Sequence, residues 1–458
     1  MIARPLVPPA VSAASVSSGR LSFAFGPRFF LLLAAGVLIV VPAWLDGRVL
    51  WILALWNLIV LDVWFVDLKR IPTHNAVRVT RSWRSPLSLG IATRVSLQLH
   101  NEAATPLEIE VLDDAPSELR SDAARATMTL APGEQAATDY EIVPRRRGDV
   151  DVGRAWLRVR TPWAIAERWM KADLGQAIRV YPDLIGARQQ SMLLLRSRQV
   201  SLEKRRARAV GRGREFESLR EYQPGDELRD ISWPATARRA KPITRIFQPE
   251  RSQPVWILVD GGRLLRARIG ERTKLDLLVD AALALAQVVE GAGDRVGLIT
   301  YGRTLHQRLA PARGSQHLRE IFEALATVPA ERAEGDHAAA ASAVMSAQKQ
   351  RALIVWLTEL AETAGVPDVV EHATKLSPRH LVLFGVMKPA DVGAAAAVAP
   401  DSADDMYRML AAQETLDRRE VLLRGLTHRG AHVIELDRAR SAAMLIDQYL
   451  QIKERSLI

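Results

Sequence analysis

The chain has no cysteine among its 458 residues. That excludes a disulfide framework and any thiolate metal site, and nothing points to an oxidising compartment. The motifs of common catalysts are missing too. There is no Gly-x-x-x-x-Gly-Lys phosphate loop, no Gly-x-Ser-x-Gly elbow and no His-Glu-x-x-His pair. The nine histidines are scattered. His428 and His432 stand four apart, but Gly430 interrupts any helix that would carry both. These absences leave no catalytic residue to assign and no cofactor to expect. A hydrophobic content of 48% with 25% charged residues excludes disorder throughout, and the length accommodates two or three domains. The net charge of +10 favours contact with anionic surfaces, membrane phosphates or nucleic acid.

Charge is absent where apolar residues concentrate. Residues 1–28 are rich in Pro, Ser and Ala, with Arg4, Arg20 and Arg28 as their charges, and read as a disordered tail. Phe29–Leu45 carries no charge; after Asp46-Gly47-Arg48 comes a second apolar run, Val49–Val66. Each is long enough, at the lower edge of the roughly 17–25 residues required, to cross a bilayer. Residues 29–67 are therefore expected to form a transmembrane helical hairpin, with Trp44, Trp51, Trp64 and Phe65 near the interfaces. Asp62 would cost about 2.5–3.5 kcal/mol at mid-bilayer, so it is expected toward the headgroups. The tail arginines and Lys69, Arg70, Arg78, Arg81 and Arg84 flank a neutral turn. The positive-inside rule then predicts an inner-membrane protein with both termini and its soluble domains in the cytoplasm.

Residues 72–182 read as all-β. Apolar residues alternate at Val95, Leu97 and Leu99, at Ile109 and Val111, at Met128 and Leu130, and at Val150 and Val152. Turns such as Ala131-Pro132-Gly133 separate them, as in a small immunoglobulin-like sandwich. Residues 183–250 join this domain to the next. They include the basic run Glu203–Arg208, read as a solvated loop or, alternatively, as a contact for phospholipid headgroups. From 251 to 458, apolar runs at 255–259, 296–301, 353–358, 381–386 and 433–436 alternate with helical stretches near 273–290, 315–326, 337–349, 366–375, 403–428 and 440–453. That pattern predicts a doubly wound α/β domain with a mainly parallel sheet. Gly393–Asp401 reads as an Ala-rich loop.

Gly211–Phe247 is the densest stretch of the chain: acids and bases interleave with Phe216, Leu219, Tyr222, Ile231 and Trp233. So many large apolar side chains predict an ordered segment with its ions paired across a partly buried seam. Gly211, Gly213, Glu215, Phe216, Leu219, Arg220, Tyr222, Gly225, Asp226, Arg229, Ile231, Trp233, Ala237 and Arg238 resemble the hallmark of the family catalogued as Domain of Unknown Function 58. Ser232 and Pro234 depart from it. Arg147-Gly148, Thr161-Pro162-Trp163 and Val180-Tyr181-Pro182 resemble further landmarks of that family. With the α/β domain, the resemblance implies a von Willebrand factor A-like fold, in which Asp-x-Ser-x-Ser with a later Thr and Asp often binds Mg²⁺. Here the first loop reads Asp260-Gly261-Gly262-Arg263-Leu264, the middle loop Gly335-Asp336, and the last acid is Glu359. Gly262 and Leu264 offer no side-chain oxygen, so a degenerate site is expected, with Asp260 paired to Arg263 and no metal. The resemblance also implies a partner, a MoxR-type AAA+ ATPase, and an adaptor role in assembly or maturation of other complexes. Two alternatives stand beside it: a hydrolase using the acids of 211–247, and a basic nucleic-acid binder.

Overall fold

A computed structural model describes residues 11–17, 22–43, 47–83, 87–119, 124–183, 215–223, 226, 228–248, 252–360 and 368–455. The chain divides into two compact units, Met1–Tyr181 and Pro182–Ile458.

In the first unit, strands β1 (Val11–Ser17) and β2 (Phe23–Phe25) precede two helices, α1 (Pro27–Ala43) and α2 (Val49–Arg70). Ten further strands follow: β3 (His74–Trp83), β4 (Leu87–Ser88), β5 (Thr93–Asn101), β6 (Leu107–Asp113), β7 (Ala124–Leu130), β8 (Gln135–Ile142), β9 (Gly148–Val152), β10 (Ala155–Arg160), β11 (Ala166–Ala172) and β12 (Gln176–Tyr181). One sheet runs β7-β6-β10-β11-β1-β3-β5-β8 with β2 added to β11; a second runs β4-β12-β9. The all-β expectation thus holds, and the alternating residues Val95, Leu97, Leu99, Ile109 and Val111 are buried.

The expected disordered tail is corrected over 11–17. β1 lies between β3 and β11, pairing Val11 with Ser82 through Ser15 with Arg78 and Ser17 with Lys171. Its Ser/Ala composition conceals this, because two waiting strand edges supply backbone hydrogen bonds whatever the side chains are.

Among the described residues, one helix is long and apolar enough to cross a membrane, Leu50–Arg70 in the second apolar run. Its length, about 31 Å at 1.5 Å per residue, matches a hydrocarbon core of about 30 Å. The first run gives a shorter apolar helix. On α2 the stripe Val60, Trp64 and Leu68, with Ile71 just past its end, joins Phe29 and the sheet residues in one hydrophobic core. Leu50, Trp51, Ile52, Leu55, Leu58, Ile59, Leu61, Phe65 and Val66 remain exposed.

In the second unit β13 (Glu215–Glu221) and β14 (Ile243–Gln248) form a separate two-stranded ribbon, with helix α3 (Trp233–Arg239) between them. Then come β15 (Pro254–Asp260), the small ribbon β16 (Arg268–Ile269) and β17 (Arg272–Thr273), α4 (Lys274–Gly291), β18 (Arg295–Tyr301), β19 (Leu305–Ala312), α5 (Ser315–Ala326), α6 (His337–Ala347), β20 (Leu353–Leu357), α7 (Asp368–Leu376), β21 (Leu381–Met387), α8 (Ala390–Ala397), α9 (Ala403–His428), β22 (His432–Leu436) and α10 (Ser441–Glu454). The main sheet is ordered β19-β18-β15-β20-β21-β22. Five strands are parallel, and β19 is an antiparallel edge. Trp256, Ile354, Trp356 and Phe384 pack one face beneath α6 and α7.

Each predicted run is found as a strand, and each predicted helix lies within a few residues of its expected place. Two features differ. β19 carries no apolar run, which suits an edge strand with polar side chains toward water. The expected Ala-rich loop, Gly393–Asp401, is helical as far as Ala397 as part of α8, since alanine has the highest intrinsic helix propensity and α9 lies alongside.

Candidate functional site

Two places hold the residues singled out by the sequence. The first is the carboxyl end of the parallel sheet. Continuously apolar β15 runs into Asp260, which is buried. Its Oδ1 accepts the Gly262 N–H at 2.7 Å, and its Oδ2 accepts the Thr358 hydroxyl at 2.7 Å. The loop before α6 closes over it: the Glu331 N–H donates to Gly261 O at 2.8 Å and the Arg263 N–H to Ala333 O at 2.8 Å. That closure depends on Gly335, where an added Cβ would lie 2.4 Å from Asp260 Oδ1. Burial pushes the Asp260 carboxyl above its ordinary range, against the charge of nearby His337 and the Thr358 hydrogen bond. Beside it, Trp356 Nε1–H donates to Tyr301 Oη at 2.6 Å, and Tyr301 Oη meets His337 Nδ1 at 3.0 Å. Burial raises the Tyr301 phenol well above its ordinary range.

The expected Asp260–Arg263 pair does not form. Arg263 instead reaches Glu334 at 2.6 Å, because Asp260 is walled in by the two glycine backbones while Arg263 faces solvent. Glu359 is also buried, but it is held by Lys274 at 2.7 Å and Arg419 at 2.6 Å. Leu264 is half-buried on the adjoining 3-10 turn. These residues do not fit an octahedral Mg²⁺. Gly262 and Leu264 lack side-chain oxygens, and both carboxylates already spend oxygens on protein donors. Thr358 was missed by sequence reading. Its place one residue past β20, beside the Val259–Leu357 pair of the parallel register, brings it to Asp260, and no local motif marks it.

The second place is the β13–β14 ribbon. β13 pairs with β14 from Glu215–Gln248 to Glu221–Ile243, with a bulge between Phe216 and Ser218. Glu215 and Phe216 lie on β13, and Arg229 lies on the 3-10 turn Leu228–Asp230. Gly211, Gly213, Gly225 and the basic run at 203–208 fall outside the described residues. Asp226 takes the Gln223 N–H at 3.0 Å and the Arg220 guanidinium at 2.7 Å. The Gln223 hydrogen bond, with Arg220, holds its carboxyl below the ordinary carboxylate range. Glu221 pairs with Lys241 at 3.2 Å. The apolar floor is small: Ile231 and Ile243 are buried and Tyr222 is half-buried.

The expected partly buried seam is found at Ile231 and Ile243, with Arg220–Asp226 and Lys241–Glu221 paired, but it does not extend to Trp233. Trp233 is 69% exposed and Leu228 71% exposed. Leu219, Arg238, Arg239, Lys241 and Arg245 are exposed as well, and α3 buries no residue. α3 opens at Trp233-Pro234, with proline at its first turn, and places Arg238 and Arg239 at its C-terminus, where the helix dipole favours cations. The outcome is a short helix presenting one aromatic ring and two guanidiniums to solvent.

Residues 218–404 match the model of a family described as "Protein of unknown function DUF58". The uncharacterized proteins Rv1480 of Mycobacterium tuberculosis and Mb1516 of Mycobacterium bovis are each 30% identical over 185 residues, 40% of this chain and 57% of theirs. The uncharacterized protein YeaD of Bacillus subtilis is 24% identical over 257 residues, 53% of this chain and 60% of its own. The chain thus spans somewhat over half the length of the curated relatives it matches. Among solved structures, the conserved hypothetical protein BatB from Bacteroides thetaiotaomicron aligns with TM-score 0.31 at 14% identity, over 44% of this chain and 100% of that one. An aerotolerance-related membrane protein from Bacteroides fragilis aligns with TM-score 0.31 at 15% identity, over 44% of this chain and 99% of that one.

Proposed function

Given a DUF58 match over residues 218–404, we propose that this chain is a membrane-anchored interaction protein that docks its partner through the exposed ribbon between β13 and β14. The exposure of Trp233 and Leu228 beside Arg238 and Arg239 carries this reading. A solvent-exposed tryptophan on a short helix that also presents two exposed arginines has the composition of a binding hot spot. The α1–α2 hairpin supplies the anchor and returns the chain to the side it left, as the pairing of β1 with β3 requires, and the flanking cations support a cytoplasmic orientation for both termini. The partner implied by the family resemblance is a MoxR-type AAA+ ATPase, with assembly or maturation of other complexes as the task. On the same reading the all-β region is an immunoglobulin-like sandwich and the α/β region a von Willebrand factor A-like domain that works without metal and without catalysis. The hydrolase alternative is disfavoured because Asp226 and Glu221 are each held by a cation.

The test is co-purification. Tagged full chain from detergent-solubilised membranes should retain an ATPase of this class. Trp233→Ala combined with Arg238→Gln and Arg239→Gln should lose it while melting like the wild type. Undiminished recovery by that variant would refute the docking role. Retention on single-stranded nucleic acid that falls steeply with salt would replace the protein partner with a nucleic-acid one.

A further inference from the structure

The Thr161–Ala164 turn, one of the family-like landmarks, sits where the two apolar helices meet the sheets. Asp67, near the end of α2, is buried and takes the Thr161 hydroxyl at 2.5 Å and the Ile165 and Ala166 N–H groups at 3.1 and 2.8 Å. Gly26, just before α1, donates its N–H to Ile165 O at 2.7 Å. A Cβ there would lie 2.3 Å from Ala164 O, so only glycine lets the chain pass this close. Arg28, in the first turn of α1, donates to Pro162 O at 2.8 Å and Trp163 O at 3.2 Å. Arg70, the last residue of α2, lies with its guanidinium 3.9 Å from the centre of the Trp163 ring. One turn of chain therefore ties together the base of both helices, with Pro162 and Trp163 facing outward.

We propose that Trp163, with Arg28, Lys69 and Arg70, forms a rim that binds anionic phospholipid headgroups where α2 leaves the bilayer. The inference rests on the reading of α2 as a membrane span and is independent of the β13–β14 ribbon. Continuity with α2 sets the level. Its exposed apolar side chains extend to Phe65 and Val66, and Lys69 and Arg70 begin one turn later. The Lys69 ammonium sits 4.4 Å over the Phe65 ring, so each cation at this end rests on an aromatic face. Aromatic rings at the helix end with cations above them suit the interfacial layer, where rings sit among headgroups and ammonium and guanidinium groups meet phosphate. Charge complementarity selects the lipid. Among the described residues, neither Lys69, Arg70 nor Arg28 forms an ion pair with a carboxylate, and an anionic surface attracts all three at once.

Because the chain has no cysteine, one introduced cysteine carries a unique fluorophore. Pro162→Cys keeps Trp163 and labels the rim, Trp51→Cys labels the apolar stretch, and Trp156→Cys labels the outer face of β10. The full chain is reconstituted in nanodiscs of phosphatidylcholine and phosphatidylglycerol carrying nitroxides on the headgroup or on the acyl chain. The label at 162 should be quenched by headgroup nitroxide, that at 51 by acyl-chain nitroxide, and that at 156 by neither. Trp163→Ala with Arg70→Gln should reduce the headgroup quenching at 162 at least twofold, and removing phosphatidylglycerol should do the same. A label at 162 quenched no more than one at 156, while 51 still reports acyl chains, overturns the rim and leaves the span standing. An unquenched label at 51 overturns both. Shielding of 162 from lipid and aqueous quenchers alike would assign the surface to a protein or a second copy and also overturns the proposal.

Discussion

Replacing Asp67 tests how the helix pair is fixed to the sheets of the first unit. Alanine removes both carboxylate oxygens and strands the Ile165 and Ala166 N–H groups in a buried site. At about 1–3 kcal/mol for each stranded donor, the two amides alone cost about 2–6 kcal/mol. Asparagine behaves differently. Its Oδ1 can stand where Oδ2 accepts both amides, and its Nδ2–H can donate to Thr161 Oγ1, since a hydroxyl both donates and accepts. Charge assistance is lost and the Thr161 hydroxyl, which also accepts the Trp163 N–H, changes from donor to acceptor, so Asp67→Asn should cost about 1–2 kcal/mol. The readout is local: hydrogen exchange in peptides carrying the Ile165 and Ala166 amides, with the full chain in nanodiscs. Asp67→Ala should speed that exchange by roughly thirtyfold or more, because every 1.4 kcal/mol lost from the opening free energy is about tenfold. Unchanged exchange in Asp67→Ala, or equal damage from asparagine and alanine, would refute the reasoning.

Three further outcomes are expected. Arg81 and Asp113 form a fully buried ion pair, with Tyr140 also donating to Asp113 and Arg81 also donating to Gly153 O and Leu174 O. Asp113→Ala should cost about 3–5 kcal/mol in urea unfolding, and a loss under about 1 kcal/mol would refute it. Titrating Mg²⁺ into the full chain at millimolar concentration should leave its melting temperature in place. A shift of several degrees that disappears in Asp260→Ala would overturn the reading of that site. The raised Asp260 carboxyl means that the folded chain binds this proton more readily than the unfolded chain, between the ordinary carboxylate value and the raised one. Its contribution to stability therefore grows as pH falls through that window and declines as pH rises. The wild type should gain on Asp260→Asn as pH falls through it, and a pH-independent difference between the two would count against burial as the cause.

Much of the fold follows from local pattern. The runs Val255–Val259 and Leu353–Leu357 are continuously apolar because their sheet is covered on both faces, and that period can be read without coordinates. Two of the helices between them, α4 and α6, begin at side-chain caps, Thr273 and Asp336. Thr273 and Asp276, for example, exchange hydrogen bonds across the first turn of α4 at 3.0–3.1 Å. The apolar length of α2 and the missing second oxygen at Gly262 are equally legible, since both depend on residue type alone. The sequence by itself therefore determined the succession of parallel strands and most helices of the second unit, the apolar span of α2 and the loss of the metal-ligand pattern at Asp260. Tertiary structure decided the rest. Ser/Ala-rich β1 is a strand only because β3 and β11 leave edges to pair with. Thr358 meets Asp260, and Arg263 turns to Glu334, through strand register and loop closure. Trp233 is exposed because the β13–β14 ribbon has too small an apolar floor to cover it. For β1, Thr358 and Arg263 the deciding partner lies far along the chain, and the energy of a contact depends on which surface arrives there, a quantity no window of neighbouring residues contains.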